Sequence, residues 1–260
     1  MNIDLIIQGP VDGNNLFLSK MDSICKQFNK VIISTWDNDD NTSWRSEVLK
    51  HDNVLVTSQE LPPRPIDGDG KYRGIVGQST FYWACLSTYN GLLESSAEYV
   101  IKMRTDEYYE DYSLIKKELR KSNERLVFGN IFYRKNFKGG PYHIGDHLYG
   151  CKREYMVKGL DIALKYYNKE DVSELFEFSQ DLSQIAHCAE VALSHVFLVG
   201  VGAPRSIWYE HQDQAFPCFS KHFKLVDINR LGDYQATWQQ GGPMIFSPDI
   251  QPYIQAHFDK

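Results

Sequence analysis

The sequence predicts an α/β domain in which helices flank a mostly parallel central sheet. Three short apolar runs near the amino terminus carry this prediction, and they span 3–7, 30–36 and 54–57. Strands of a parallel sheet that is covered on both faces are apolar along nearly their whole length, as these runs are. A predicted helix between the first two runs completes the strand–helix–strand order. The first half therefore has the organisation of a Rossmann-type nucleotide-binding fold.

Residues typical of turns and apolar residues at helical spacing predict where the remaining elements begin and end. The first strand stops at Gly9 and Pro10, and a stretch rich in proline and glycine at 60–74 predicts an exposed loop. Apolar residues at helical spacing predict a helix over 76–93, which leads into a strand that begins at Glu98. Other predicted elements are helices at 16–28, 113–121, 153–167 and 181–199 and strands at 126–129 and 131–133. An aromatic carboxy-terminal extension follows.

Length and composition fit one large globular domain or two small ones, and we expect a single domain over residues 1–260. With 28 Lys and Arg against 34 Asp and Glu, the formal charge is −6, which argues against a broad nucleic-acid-binding surface. Five scattered cysteines form no C-x-x-C pair, which predicts reduced thiols in a cytoplasmic protein. Because no apolar run approaches the ~20 residues that cross a bilayer, any membrane association is expected to be peripheral, at the inner face.

The strand that begins at Glu98 changes from apolar residues to carboxylates within a few positions. Alternate side chains of a strand share a face, so we expect Lys102, Arg104 and Asp106 on one face. Burying three ionisable groups is costly unless they meet one another and a charged ligand, such as a diphosphate with its metal ion. Ligands of open α/β sheets bind at this end of the strands. An edge strand with a solvated face is the alternative interpretation.

Further carboxylates are candidates for chemistry. Asp106 and Glu107 offer the hard oxygen ligands that Mg²⁺ and Mn²⁺ prefer, whereas a solvated acidic turn would look the same. Asp37 follows the second strand, where a ribose contact or a solvated turn is expected. Asp146 lies in a glycine-bracketed apolar stretch, which fits a ligand site or a buried structural pair. Glu190 lies at the edge of a helical apolar stripe, which fits a general base or a salt bridge.

Four segments in this order resemble a glycosyltransferase of the A-type fold, and more narrowly the WavE family of lipopolysaccharide-synthesis proteins. They are LIIQGPV, GQSTFYWACLSTYNGLLES, YVIKMRTDEYYED and IGDHLYGCKREYM. A-type enzymes hold Mn²⁺ or Mg²⁺ on the diphosphate of a nucleotide sugar with an Asp-x-Asp motif. Here Arg104 replaces the first aspartate. The resemblance implies a metal held by Asp106, alone or with Glu107, or a site in which Lys102 or Arg104 neutralises phosphate charge.

The same resemblance implies roles for the other candidates. The residues implied to frame the nucleotide are Gln8, Gly9, Pro10 and Asp37. Asp146 would face the donor sugar, and Glu190 corresponds to the catalytic base of inverting members, with Asp146 the second candidate. Residues 1–112 would form the nucleotide-sugar-binding half of the domain, and residues 113–260 would form the acceptor-binding half.

We therefore expect an inverting glycosyltransferase that moves a sugar, with UDP-sugars favoured, to a growing lipopolysaccharide, O-antigen or capsule. The expected partners are the nucleotide sugar and a glycan or lipid-linked glycan acceptor, without nucleic acid. One alternative is a metal-dependent phosphohydrolase or nucleotidyltransferase, which would release phosphate or pyrophosphate without a sugar acceptor. Another is a non-catalytic glycan-binding protein with a degenerate transferase fold, which would ignore uridine diphosphate.

Overall fold

A computed structural model describes most of the chain. The described residues are 2–13, 15–37, 43–63, 79–121, 124–129, 144, 146–167, 189–203 and 221–236, with side chains omitted at 79–81, 166–167 and 189–192. The strands are β1 (Ile3–Gln8), β2 (Val31–Trp36), β3 (Val54–Gln59), β4 (Tyr99–Arg104), β5 (Glu107–Tyr109), β6 (Leu126–Gly129), β7 (Tyr149–Lys152), β8 (Phe223–Val226) and β9 (Tyr234–Ala236). The helices are α1 (Met21–Cys25), α2 (Ser43–Val48), α3 (Ser79–Glu94), α4 (Ser113–Lys121), α5 (Arg153–Tyr167) and α6 (Ala189–Gly200).

Seven strands form one mixed sheet in the order β3-β2-β1-β4-β7-β6-β8. All pairings in it are parallel except the two made by β7, which runs antiparallel to β4 and β6. The predicted α/β class with a mostly parallel sheet is therefore confirmed. β5 and β9 form a separate antiparallel pair.

Every side chain of β1 and β2 is buried, because helices cover both faces of the sheet. One face packs Ile6 against α3, α5 and α6, and the other packs Leu5 and Ile7 against α1, α2 and α4. Helix α3 lies so close to the sheet that a side chain at Gly91 would come within 2.7 Å of Ile6. The hydroxyl of Ser87 on this helix donates to the Ser34 carbonyl on β2, at 2.8 Å.

Several predicted boundaries differ from those observed. The segment predicted as one helix at 16–28 forms a 3-10 helix (Leu16–Lys20) followed by the short α1. The helices predicted at 113–121 and 153–167 are confirmed. The beginnings of the helices predicted at 76–93 and 181–199, and the strand predicted at 131–133, lie outside the described residues. None of the described helices has both the length and the apolar character of a membrane span.

Candidate active site

The candidate site lies where the strand order reverses. From β1 the sheet continues in one direction through β2 to β3, whereas β4 pairs with the opposite edge of β1. The strand order therefore reverses between β1 and β4, and the carboxyl ends of strands at such a reversal point are where open α/β sheets have their ligand-binding crevice. Gln8 ends β1 and is in register with Arg104 at the end of β4. This register brings the two predicted segments to one place.

Gly9 makes the turn out of β1 and admits no side chain. Its φ is +130°, which L side chains rarely adopt, and an added Cβ would lie 2.7 Å from the Thr105 hydroxyl oxygen. The Gly9 amide donates to the Ser34 carbonyl at 3.1 Å, and the Thr105 amide donates to the Gln8 carbonyl at 3.0 Å. These backbone contacts fix the floor of the crevice, and Gly9 itself adds no side chain to it.

The other predicted nucleotide contacts lie at the same edge of the sheet. Gln8 is buried, whereas Pro10 is exposed. Asp37 directly follows β2, its backbone amide donates to the Gln59 carbonyl at 2.8 Å, and its carboxylate is exposed. The positions of Gln8, Gly9, Pro10 and Asp37 are those that a ligand at this edge could reach, and their roles in binding stay predictions.

Arg104 joins the two candidate aspartates of the site. Its Nε and Nη2 donate to Asp106 Oδ1 and Oδ2 at 2.9 and 2.7 Å, a two-pronged contact. Its Nη1 lies 3.9 Å from Asp146 Oδ2. Burial works against the charge of the guanidinium, but the hydrogen bonds and the nearby carboxylates outweigh it and raise the pKa of Arg104. The cation is therefore permanent and half-exposed at the edge of the crevice.

Lys102 supplies a second cation, deeper in the site. Its side chain is buried, its Nζ donates to the backbone carbonyl of Asp146, and it lies 5.3 Å from the centre of the Tyr149 ring. Burial lowers the pKa of Lys102, although Asp146 opposes this effect. The chain holds this costly charge in place with a carbonyl, a carboxylate and an aromatic face.

Asp146 is placed among positive groups. Burial by itself would raise the pKa of this carboxyl, but Lys102, His147 and Arg104 outweigh burial and lower it. The group therefore stays ionised to lower pH than an ordinary aspartate. A carboxylate with a lowered pKa stabilises positive charge well and accepts a proton less readily.

Glu107 contacts a different set of side chains from Asp106, which pairs with Arg104. The strand ends at Arg104, and the turn at Thr105 and Asp106 sends Glu107 into β5, where it is fully buried. The Tyr109 hydroxyl donates to its Oε2 at 3.1 Å, the Tyr234 hydroxyl donates to its Oε1 at 3.3 Å, and His147 Nδ1 also contacts Oε1. The metal role of Glu107 stays a prediction, and these contacts do not favour it.

A divalent metal fits Asp106 better than Glu107. The Asp106 side chain is 26% exposed, and its oxygens have lone pairs beyond the two that accept from Arg104. Mg²⁺ and Mn²⁺ need only one or two carboxylates when water and phosphates complete their shell. Within the described part of the chain, no three His, Cys, Asp or Glu residues are grouped as a preformed metal centre. Any ion would therefore depend on the ligand for most of its coordination.

Three site residues were not predicted to act. His147 directly follows Asp146, and Tyr109 lies in the acidic segment after β4, but no pattern in the sequence assigns a role to either of them. Tyr234 lies 127 positions after Glu107, and no motif in the sequence marks it. The predicted base, Glu190, is the second residue of α6, and its side chain lies outside the described residues.

Comparisons with known proteins give a family and several distant folds. The model of the family described as WavE lipopolysaccharide synthesis matches residues 3–195. No curated protein is similar enough to match the chain.

Three solved structures illustrate the likeness of fold. Glucosyl-3-phosphoglycerate synthase from Mycobacterium tuberculosis, solved with Mn²⁺, uridine diphosphate and glucosyl-3-phosphoglycerate, is 14% identical, with 79% of this chain and 82% of that chain covered and a TM-score of 0.38. HddC from Yersinia pseudotuberculosis is also 14% identical (60% and 79% covered, TM-score 0.36). The 4-diphosphocytidyl-2C-methyl-D-erythritol synthase from Anaerococcus prevotii is 13% identical (100% and 99% covered, TM-score 0.44). All three scores are below 0.5, so the functional argument rests on the family match and the site.

Proposed function

The chain belongs to the WavE lipopolysaccharide synthesis family, and from this premise we propose that it is a glycosyltransferase that moves a sugar from a nucleotide-diphosphate donor to a growing surface glycan. The observation that carries the proposal is the group of Lys102, Arg104, Asp106 and Asp146 at the reversal point of the sheet. Sugar transfer passes through an oxocarbenium-like state and leaves a diphosphate. This site offers positive charge for the diphosphate and carboxylates for the sugar.

The leaving diphosphate is the part of the reaction that needs most charge stabilisation. Arg104 presents a planar, permanently charged group at the edge of the crevice, and Lys102 adds a buried charge behind Asp146. Preorganised charges of this kind stabilise the charge that develops on a leaving group without any rearrangement at the moment of reaction. We assign both residues to phosphate recognition.

Asp106 is the residue that would hold Mn²⁺ or Mg²⁺. When bound, such an ion would share the negative charge of the donor diphosphate. Arg104 fixes the orientation of the Asp106 carboxylate through both of its oxygens. The same pair also fits a site in which the chain's own cations neutralise most of the phosphate charge.

The acceptor hydroxyl needs a base, and Glu190 is the first candidate. The lowered pKa of Asp146 makes that carboxylate a weaker proton acceptor and suits it to stabilise positive charge on the donor sugar. We therefore propose that Asp146 faces the donor sugar and that Glu190 takes the proton. Direct attack by the acceptor would invert the configuration of the transferred sugar.

A transfer assay tests this proposal. Purified protein is incubated with radiolabelled uridine-diphosphate sugars and a lipopolysaccharide acceptor, and the label that enters the acceptor is counted. Asp106→Asn should lower transfer at least about 100-fold and leave the melting temperature nearly unchanged, because it removes a charge from a partly exposed site. Asp22→Asn, an 88% exposed aspartate on α1, is the matched control and should transfer normally.

The other outcomes identify the alternatives. Full activity of Asp106→Asn would overturn the site assignment. Release of pyrophosphate or phosphate without any acceptor would indicate a nucleotidyltransferase or phosphohydrolase that uses the same carboxylates.

A further inference from the structure

A row of hydrogen-bonding side chains leads to Asp146. It consists of the buried Tyr109, Glu107 and His147 and the half-buried Tyr234, and it ends at the Asp146 carboxylate. We propose that this row holds the Asp146 carboxylate in the orientation that faces the donor sugar, an inference that rests on the function proposed above. Glu107 and His147 are then positioning residues.

Glu107 is the anchor of the row. A fully buried carboxylate is costly unless it is hydrogen-bonded, and Glu107 receives two tyrosine hydroxyls and faces the His147 ring. Burial first, and then the charge of Glu107, raises the pKa of Tyr109 well above its usual value, so this hydroxyl keeps its proton and donates it. A buried charged group of this kind contributes little to stability compared with an apolar core, which favours a role in the site.

His147 transmits the orientation from Glu107 to Asp146. Its Nδ1 contacts Glu107 Oε1, and its Nε2 lies 3.5 Å from Asp146 Oδ1. Each ring nitrogen thus faces a carboxylate oxygen, which can only accept, so each nitrogen must donate a proton to hold its carboxylate, and the two contacts together fix the ring orientation. The opposite oxygen of Asp146 faces Arg104 at 3.9 Å. The Asp146 carboxylate is thus held from both sides.

Tyr234 ties a late part of the chain to this row. It lies on β9, which pairs with β5 and so brings residues 234–236 against residues 107–109. Its ring lies 4.9 Å from that of Tyr109, centre to centre. The residue lies beyond the segment 3–195 that the family model matches, so the row draws on a part of the chain that the family match does not include.

Kinetics of matched variants test the positioning role. The Gln side chain reaches the position of Nε2, whereas the Asn side chain reaches only that of Nδ1. His147→Asn should therefore lower kcat about tenfold or more and leave the donor KM within about twofold, because a small misplacement of a reacting group is costly. His147→Gln should keep more of the activity.

Two tyrosines distinguish a loss of the positioning hydrogen bond from a general loss of packing. Tyr109 and Tyr112 are both fully buried, but the Tyr112 hydroxyl contacts Met103 Sδ at 2.9 Å. Tyr109→Phe should lower kcat several-fold at constant KM, and Tyr112→Phe should not. Unchanged kcat in both His147→Asn and Tyr109→Phe, or an equal loss in Tyr112→Phe, would overturn the proposal.

A second measurement needs no turnover and so separates this inference from the proposed function. In protein labelled with ¹⁵N-histidine, the His147 signals are those missing from the spectrum of His147→Asn. Both ring nitrogens should carry a proton, and the Nδ1 resonance should move in Glu107→Gln. A ring with a proton on only one nitrogen would overturn the inference even if sugar transfer is found. The expected spectrum without transfer of any sugar would refute the proposed function and leave the described row intact.

Discussion

Arg104 helps to explain how the fold tolerates the three ionisable groups that the sequence places on one strand face. Two of them, Arg104 and Asp106, pair directly, and the third, Lys102, binds the carbonyl of Asp146 from the neighbouring segment. The cost of burial is thus offset by partners within 4 Å of the positive groups. Because Arg104 occupies the position of an expected aspartate, the site already contains positive charge before any ion binds.

Lys116 is a half-buried cation outside the site, and its effect on stability can be tested. Its Nζ donates to the Gln27 carbonyl and lies 3.9 Å from the centre of the Phe28 ring. Burial first, and then the charge of Arg120, lowers the pKa of Lys116 to about 8. Between pH 8 and about 10.5 the unfolded chain therefore binds more protons at this residue, so stability should rise with pH in this range.

The measurement is urea unfolding at pH 7 and pH 10. Relative to Lys116→Met, the wild type should gain about 1 kcal/mol in free energy of unfolding over this range, a figure reduced because the side chain is partly exposed. The exposed Lys117→Met is the control. A difference between the wild type and Lys116→Met that does not change with pH would contradict the account.

At the scale of elements, helices α5 and α6 pack closely because each has a glycine at the point of contact. A Cβ at Gly159 would lie 2.1 Å from the Val196 carbonyl oxygen, and one at Gly200 would lie 1.9 Å from the Tyr155 carbonyl oxygen. Both obstacles are backbone atoms, so only a shift of a whole helix could relieve them. Since α6 begins at Ala189, this crossing also sets the position of Glu190.

Gly159→Ala should therefore destabilise the protein by about 1–3 kcal/mol, because the overlap outweighs the gain of about 1 kcal/mol in helix propensity. It should also lower transfer, because α6 carries the proposed base. The exposed Lys158→Ala on the same helix should alter neither. Increased stability of Gly159→Ala in thermal unfolding would show that the helices are not in contact there.

Some elements could be predicted from the sequence and others could not. β1, β2 and β4 begin as apolar runs and have polar or charged residues toward their carboxyl ends, so both their existence and the expected place of the site followed from pattern. β7 and β9 have four and three residues, and each exists through pairing with a distant segment. The contact between Tyr234 and Glu107 could not be predicted, because it depends on the pairing of β9 with the distant β5.

The site residues divide in the same way. The strand period placed Lys102 and Arg104 on one face, and Asp106, in the turn after the strand, is held beside them by its pairing with Arg104. That period stops at Arg104, where the turn at 105–106 begins. Glu107 therefore faces His147 and the tyrosines, an arrangement that only the folded chain reveals.

For the whole molecule, one sheet order explains both the fold and the place of the chemistry. The order reverses between β1 and β4, Gly9 adds no side chain at this point, and Arg104 and Asp106 lie at the end of β4. A protein with net charge −6 thus places two cations, Lys102 and Arg104, where a small anion would bind. The central claim is that this anion is the diphosphate of a nucleotide sugar.

Calorimetric titration with uridine, guanosine and cytidine diphosphates, each with and without Mn²⁺, tests this claim most directly when repeated on Asp106→Asn. The account predicts that one nucleotide binds, that Mn²⁺ tightens its binding, and that the variant loses this effect. Binding that is equally tight with and without Mn²⁺ would assign the charge balance to Lys102 and Arg104 alone. Absence of binding to all three nucleotides would contradict the account and favour a glycan-binding protein.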